Sequence, residues 1–303
     1  MRFLLNSVDY LSSETKEKIN KKIDAIEVNP GIPEWITDEE EVLANSIQYN
    51  DSLSFPANAL RRAGQIFFRA LQVNILEPEN AVSLQSPTLV INSNYGPWPN
   101  HPIINIFVGW NLPPHFSPDF PLPLKYAGLG FVVGHELMHA FDSGNVMKGA
   151  APSGEQLSEE EAETYYRHAD CLIKQYSSSC YSKAKACQVG SVALQDNIAD
   201  IGGLKVAYLA YQIAKDMSEE EPPIPGLEQY TGEQLFYMAF QRFFCFQNEP
   251  TNMAYIASDH SPSAIRGIVA LRNNPNFARA FECPVGSYAA PTTMCKMWGE
   301  IYG

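Results

Sequence analysis

The chain has 303 residues, 45% hydrophobic and 18% charged, a globular composition with enough apolar side chains to bury a sizeable core. Its net charge of −13 sets a field that opposes nucleic acid and anionic membrane surfaces. No apolar run is long enough to span a bilayer, and the start Met1-Arg2-Phe3-Leu4-Leu5-Asn6-Ser7 turns polar too soon for the apolar core of a secretory signal.

In chain order, Ser12 or Ser13 caps an expected amphipathic helix over 11–26, with Ile19, Ile23 and Ile26 along one face. A turn-rich connection at 30–38 leads toward a second helix over 58–73, which includes Leu60, Ile66, Phe67 and Leu71. The pattern then changes. Residues 88–92 and 103–108 are rich in β-branched and aromatic side chains and are separated by Asn, Gly and Pro, which predicts a hairpin. From Leu124 onward the periodicity predicts helices over 124–142, 157–178, 194–215, 231–246, 261–272 and 275–281. Asp216 to Gly226, with three glutamates and three prolines, reads as a solvated loop.

The six cysteines, Cys171, Cys180, Cys187, Cys245, Cys283 and Cys295, all lie in the second half, and none forms a C-x-x-C pair. Disulfides and an oxidising, extracytoplasmic setting are the expectation. Cys180 and Cys187 stand close enough for a local bridge, although six cysteines allow fifteen connectivities.

His135-Glu136-Leu137-Met138-His139 falls inside an apolar helix, so its two imidazoles share one face at i and i+4, the spacing that grips a single zinc ion. Glu136 stands beside them to accept a proton from a metal-bound water, which makes the centre hydrolytic rather than structural. In Asp196-Asn197-Ile198-Ala199-Asp200 two carboxylates repeat that spacing. One can supply a third zinc bond; the other can hold the ring of a ligand histidine. Asp259-His260-Ser261-Pro262 with Arg266 adds a His and an Arg that could face a developing oxyanion or a substrate carbonyl.

With these motifs in order, the chain resembles the catalytic domain of the neprilysin and endothelin-converting-enzyme family of zinc metallopeptidases, from about residue 10 onward. Residues 134–142 resemble its zinc helix, 196–200 its E-N-I-A-D segment, and His260-Ser261-Pro262 with Arg266 its H-S-P-x-x-x-R. Asn92-Ser93-Asn94-Tyr95 stands where the family has N-A-x-Y, an edge strand that pairs with the substrate backbone. The resemblance implies a mostly helical α+β, gluzincin-like domain over 1–303, with a helical lead-in at 1–86, a zinc-peptidase core at 87–303 and a small antiparallel sheet. It implies one Zn2+ held by His135, His139 and Asp196, with Glu136 as general base and Asp200 as the orienting carboxylate. His260 would stabilise the transition state, and Asn92, Ser93 and Arg266 would bind peptide. Phe131, Val132, Phe243 and Phe244 would line a pocket for a large apolar residue after the scissile bond. The implied partners are peptide substrates, and the implied location is extracellular or a cell-surface ectodomain. Cys171 and Cys295 would pair with each other.

Two departures from the family pattern stand out. The third ligand is Asp196 where the family has glutamate, which shortens the reach by about 1.5 Å and, unless the helix shifts, predicts a distant or water-mediated carboxylate. The family's N-terminal helical lid has no counterpart in this sequence, and Cys245 and Cys283 occupy positions that normally bridge to it. An alternative expectation follows: a catalytically impaired relative that binds peptides or partners without cutting them.

Overall fold

The computed structural model describes residues 1–31, 39–40, 50–76, 91–98, 101–148, 157–181, 185–219, 222–245 and 258–299. Most of the turn-rich stretch 30–38, residues 88–90 of the first expected strand and the tip of the 216–226 loop lie outside them.

The chain opens with α1 (Arg2–Asn6), which the periodicity did not reveal, followed by α2 (Ser13–Ala25). Ser12 caps α2 by accepting from the Thr15 backbone N–H. Thr15, Ile19 and Lys22 are the buried positions of α2, so a lysine shares its inner face. β1 (Glu27–Asn29) follows, and α3 (Phe55–Leu76) extends three residues beyond its expected span at each end.

The hairpin pairs β2 (Ser93–Trp98) with β3 (His101–Ile106), in register from Ser93 opposite Ile106 to Trp98 opposite His101. β2 therefore begins where the expected strand 88–92 ends. Its Gly96 and Pro97 read as turn residues, but among the described residues β2 is an edge strand, where proline is tolerated. The sheet is mixed rather than purely antiparallel, because β1 pairs parallel with residues 103–105 of β3. Pro102 lies beyond that pairing, so its missing N–H deprives β1 of nothing.

The helix expected over 124–142 is divided. A short helical turn (Leu122–Lys125) and a π-helical turn (Tyr126–Gly130) lead into α4 (Phe131–His139), and the chain bends at Ala140. α5 (Glu159–Ser177) starts with a full capping box between Ser158 and Glu161. The small ribbon of β4 (Cys180–Tyr181) and β5 (Ala186–Cys187) precedes α6 (Leu194–Met217). α7 (Gly232–Phe243), with its Thr231–Gln234 capping box, α8 (Ser263–Arg272) and α9 (Pro275–Ala280) follow among the described residues.

One main core holds the molecule together. α1 and α2 contribute Leu4, Leu5 and Ile19 to the same cluster as Phe141 of the α4 exit, Leu204 of α6, Phe240 of α7 and Trp298. A smaller cluster of Ile104, Ile106, Trp110 and Val132 seats the sheet on α4. Disulfides join Cys171 to Cys295 and Cys180 to Cys187, while Cys245 and Cys283 are free. Among the described residues no helix is long and apolar enough to cross a membrane.

Candidate active site

α4 and α6 cross at closest approach through Gly134 and Gly203, and this crossing sets the site. It places His135 of α4 against Asp196 and Asp200 in the first two turns of α6. His135 and His139 point their Nε2 atoms at one another, 3.0 Å apart. Behind each ring stands a buried carboxylate: Asp200 Oδ1 lies 2.9 Å from His135 Nδ1, and Asp142 Oδ2 lies 2.8 Å from His139 Nδ1. With a carboxylate oxygen close to Nδ1 of both rings, both Nε2 atoms are turned toward the same space.

Asp196 Oδ1 closes the triangle. It lies 3.6 Å from His135 Nε2 and 4.0 Å from His139 Nε2 and is buried. A tetrahedral zinc with bonds of about 2.0–2.2 Å keeps its ligand atoms about 3.3–3.6 Å apart; the separations here, 3.0, 3.6 and 4.0 Å, straddle that range, and small side-chain adjustments bring all three atoms to such an ion. The shorter side chain at 196 is thus not left distant: the close crossing of α4 and α6 brings its oxygen to the two rings. Burial works against the imidazolium of His135, but Asp196 and Asp200 outweigh it and raise its pKa to about 10. Burial also disfavours the Asp196 carboxylate, yet His135, His260 and Arg266 hold its pKa well below the usual range.

Glu136 lies between the two histidines, 3% exposed. Its Oε1 accepts a 2.6 Å hydrogen bond from the Ser93 hydroxyl, and its Oε2 is unpartnered among the described residues. Ser93 thus acts on the glutamate with its side chain. Asn92 is exposed just before β2; its carbonyl accepts from the Phe107 N–H and its side chain from the Ser93 N–H.

His260 is largely exposed, with Nε2 3.1 Å from Asp196 Oδ1. Arg266, expected to hold a substrate carbonyl, spends two donors on Asp200, at 2.7 and 2.8 Å, while its Nη2 stands 3.8 Å from Asp196 Oδ1. The Asp200 carboxyl, opposed by its burial, is kept below its ordinary pKa first of all by that guanidinium.

These groups, apart from the fully buried Asp200, line a cleft of about 430 Å³ that runs along β2 and over α4. Its apolar wall is Phe131, Val132, Phe243 and Trp110, the last stacked on Phe243 at 5.0 Å. Phe244 is placed differently from the other three expected pocket residues. It is buried behind the wall, with Arg266 5.3 Å from its ring centre. Asp142 is the site residue for which the sequence offered no assigned role; its position three residues after a candidate ligand histidine, on the next turn, was the available signal.

A helix carrying H-E-x-x-H, crossed by a second helix with buried carboxylates and flanked by a sheet edge, defines a metallopeptidase-type site. The profile of peptidase family M13 matches residues 92–297, and the chain belongs to that family. It is 31% identical to endothelin-converting enzyme 1 of Cavia porcellus, an alignment spanning 97% of this chain and 39% of that one. It is 29% identical to neprilysin-1 of Caenorhabditis elegans, across 98% of this chain and 40% of the relative. Among solved structures, a Haemonchus galactose-containing glycoprotein complex superposes with a TM-score of 0.76 at 27% identity, covering 94% of this chain and 47% of that one. The chain therefore spans about two fifths of the length of the curated relatives it matches.

Proposed function

We propose that the chain forms a zinc peptidase centre that hydrolyses internal peptide bonds, with His135, His139 and Asp196 holding one Zn2+ and Glu136 as general base. The observation that carries this reading is the meeting of two Nε2 atoms and a buried Asp196 oxygen, with Glu136 alongside. Bound there, zinc supplies Lewis-acid polarisation of a carbonyl and acidifies water.

The chain's own residues do the rest. Glu136 uses its unpartnered Oε2 to take a proton from the attacking water and deliver it to the departing amine, while Ser93 steadies Oε1. Asp200 and Asp142 orient the two ligand rings. His260, at the cleft rim, donates to the developing oxyanion. β2 is an edge of its sheet among the described residues, so Asn92 and Ser93 can bind a peptide backbone by strand addition, with Arg266 contributing to a substrate carbonyl. Phe131, Val132 and Phe243, backed by Phe244, accept a large apolar side chain after the scissile bond. The two disulfides fit an extracellular or cell-surface setting.

Elemental analysis of the purified chain, with cleavage of a fluorogenic peptide bearing an internal Phe or Leu, tests the reading. We expect one zinc per chain and cleavage before the apolar residue; Glu136→Gln should keep the zinc and lose turnover. Peptide binding without cleavage by the native chain, with turnover gained only by Asp196→Glu, would overturn it in favour of a relative that binds peptides and has lost its chemistry.

A further inference from the structure

We propose that Lys22 of α2 is a positioning residue for the metal centre, fixing from outside the ligand-bearing helices the turn that aims His139. The inference rests on His139 being a metal ligand. Lys22 is 2% exposed and lies on the inner face of α2 beside Thr15 and Ile19. Its Nζ donates to the carbonyls of Ala140 at 2.6 Å, Lys148 at 2.7 Å and Asn145 at 3.0 Å, so all three ammonium donors are engaged. Ala140 is the C-cap of α4, where carbonyls lack helical partners and the helix dipole favours a cation.

The other side of the same turn serves His139. Asp142 Oδ1 accepts from the backbone N–H groups of Gly144 and Asn145, at 2.8 and 2.9 Å, while Oδ2 meets His139 Nδ1 at 2.8 Å. The peptide groups after α4 thus direct carbonyls at Lys22 and N–H groups at Asp142. Methionine or leucine at position 22 would fill the space without the cost of burying a charge. What the ammonium adds is the geometry of the turn, and through it the direction of the His139 ring. α2 belongs to the metal centre in that sense, although it supplies no ligand.

The test compares the 303-residue chain with Lys22→Met, Asp142→Asn and the double variant, reading zinc affinity by competition with a chromophoric chelator. The His139 Nδ1 nitrogen-15 signal is read in the metal-free proteins. Losing an orienting partner of a metal ligand costs roughly 10–100-fold in affinity, and we expect Lys22→Met to lose roughly tenfold and to move the His139 signal. Because Lys22 acts through Asp142, adding Lys22→Met to Asp142→Asn should cost nothing further. Ile19→Val, which loosens the same helix without touching the turn, should leave zinc affinity unchanged. If Lys22→Met does not fold, Lys22→Gln, with two donors on a shorter stem, takes its place and should show a weaker loss. Native affinity in the Lys22 variant, or a loss that adds fully to that of Asp142→Asn, would overturn the inference. A native chain that binds no zinc would overturn the metal reading instead, and the His139 signal would still report whether Lys22 sets that ring.

Discussion

Gly134 and Gly203 meet back to back where α4 crosses α6: a Cβ on Gly203 would stand 2.7 Å from the His135 backbone nitrogen, and one on Gly134 would stand 2.8 Å from the Gly203 carbonyl oxygen. Both contacts are with backbone, which cannot swing aside. The missing side chains let the two helices approach closely enough for Asp196, an aspartate at a position where the related family has glutamate, to reach both histidines.

Gly203→Ala should therefore separate the helices and widen the proposed metal triangle of His135, His139 and Asp196. Alanine improves helix propensity by about 1 kcal/mol, but forcing a methyl into backbone costs about 1–3 kcal/mol, so a net loss of stability is expected together with weaker zinc binding. Gly64→Ala is the control, because a Cβ there meets nothing within 4 Å among the described residues and should be neutral or stabilising. Urea unfolding of both variants checks the contrast; equal stability in the two would refute it.

Arg266 neutralises Asp200, a carboxylate with no solvent exposure. Arg266→Met leaves that charge buried with its main partner gone, and removal of one member of such a pair costs about 3–5 kcal/mol. Lysine cannot reproduce the paired bonds from Nε and Nη2, so Arg266→Lys should recover only part of the loss. Thermal unfolding of the metal-free proteins measures this, and a drop of under about 1 kcal/mol for the methionine variant would show that Asp200 had found another partner.

The sequence made the ligand geometry legible because the spacing within each helix is fixed: i and i+4 put His135 with His139, and Asp196 with Asp200, on single faces. The crossing of those helices is a tertiary fact, and no periodicity reports that Asp196 reaches the rings. The strand expected at 88–92 rests on β-branched residues, whereas β2 runs through Asn94, Gly96 and Pro97, whose pairing is dictated by its neighbour β3. β1, three residues long, carries no pattern of its own. Lys22 was hidden for a further reason: a lysine at a helix position reads as solvent-facing, and only the carbonyls of residues 140–148 explain its burial.

The 2.6 Å bond from Ser93 to Glu136 predicts a selective kinetic defect. Ser93→Ala removes a hydrogen bond to a carboxylate oxygen, a kind of bond that contributes about 1.5–3 kcal/mol, and leaves the β2 backbone free to pair with substrate. Steady-state kinetics on a fluorogenic peptide should show kcat reduced by about tenfold or more with KM little changed. A rise in KM at constant kcat would assign Ser93 to substrate binding alone.

Glu161 links two helix starts and should govern stability in acid. Its Oε1 accepts from the Ser12 N–H at 2.7 Å, and its Oε2 from the Thr15 hydroxyl at 2.7 Å and the Ser158 N–H at 2.8 Å. Burial favours the neutral acid, but these donors outweigh it and bring the pKa from 4.5 to about 2. Between those two pH values the unfolded chain binds the proton more tightly, so this contribution grows with pH, is fully present above about 5 and is lost as pH falls toward 2. The gap corresponds to about 3 kcal/mol. Glu161→Gln should be less stable than the native chain by about that amount at neutral pH, and the difference should shrink toward zero near pH 2. Denaturant unfolding of both proteins from pH 7 downward measures it, and a difference that stays constant with pH would mean that the donors recognise the shape of the side chain rather than its charge.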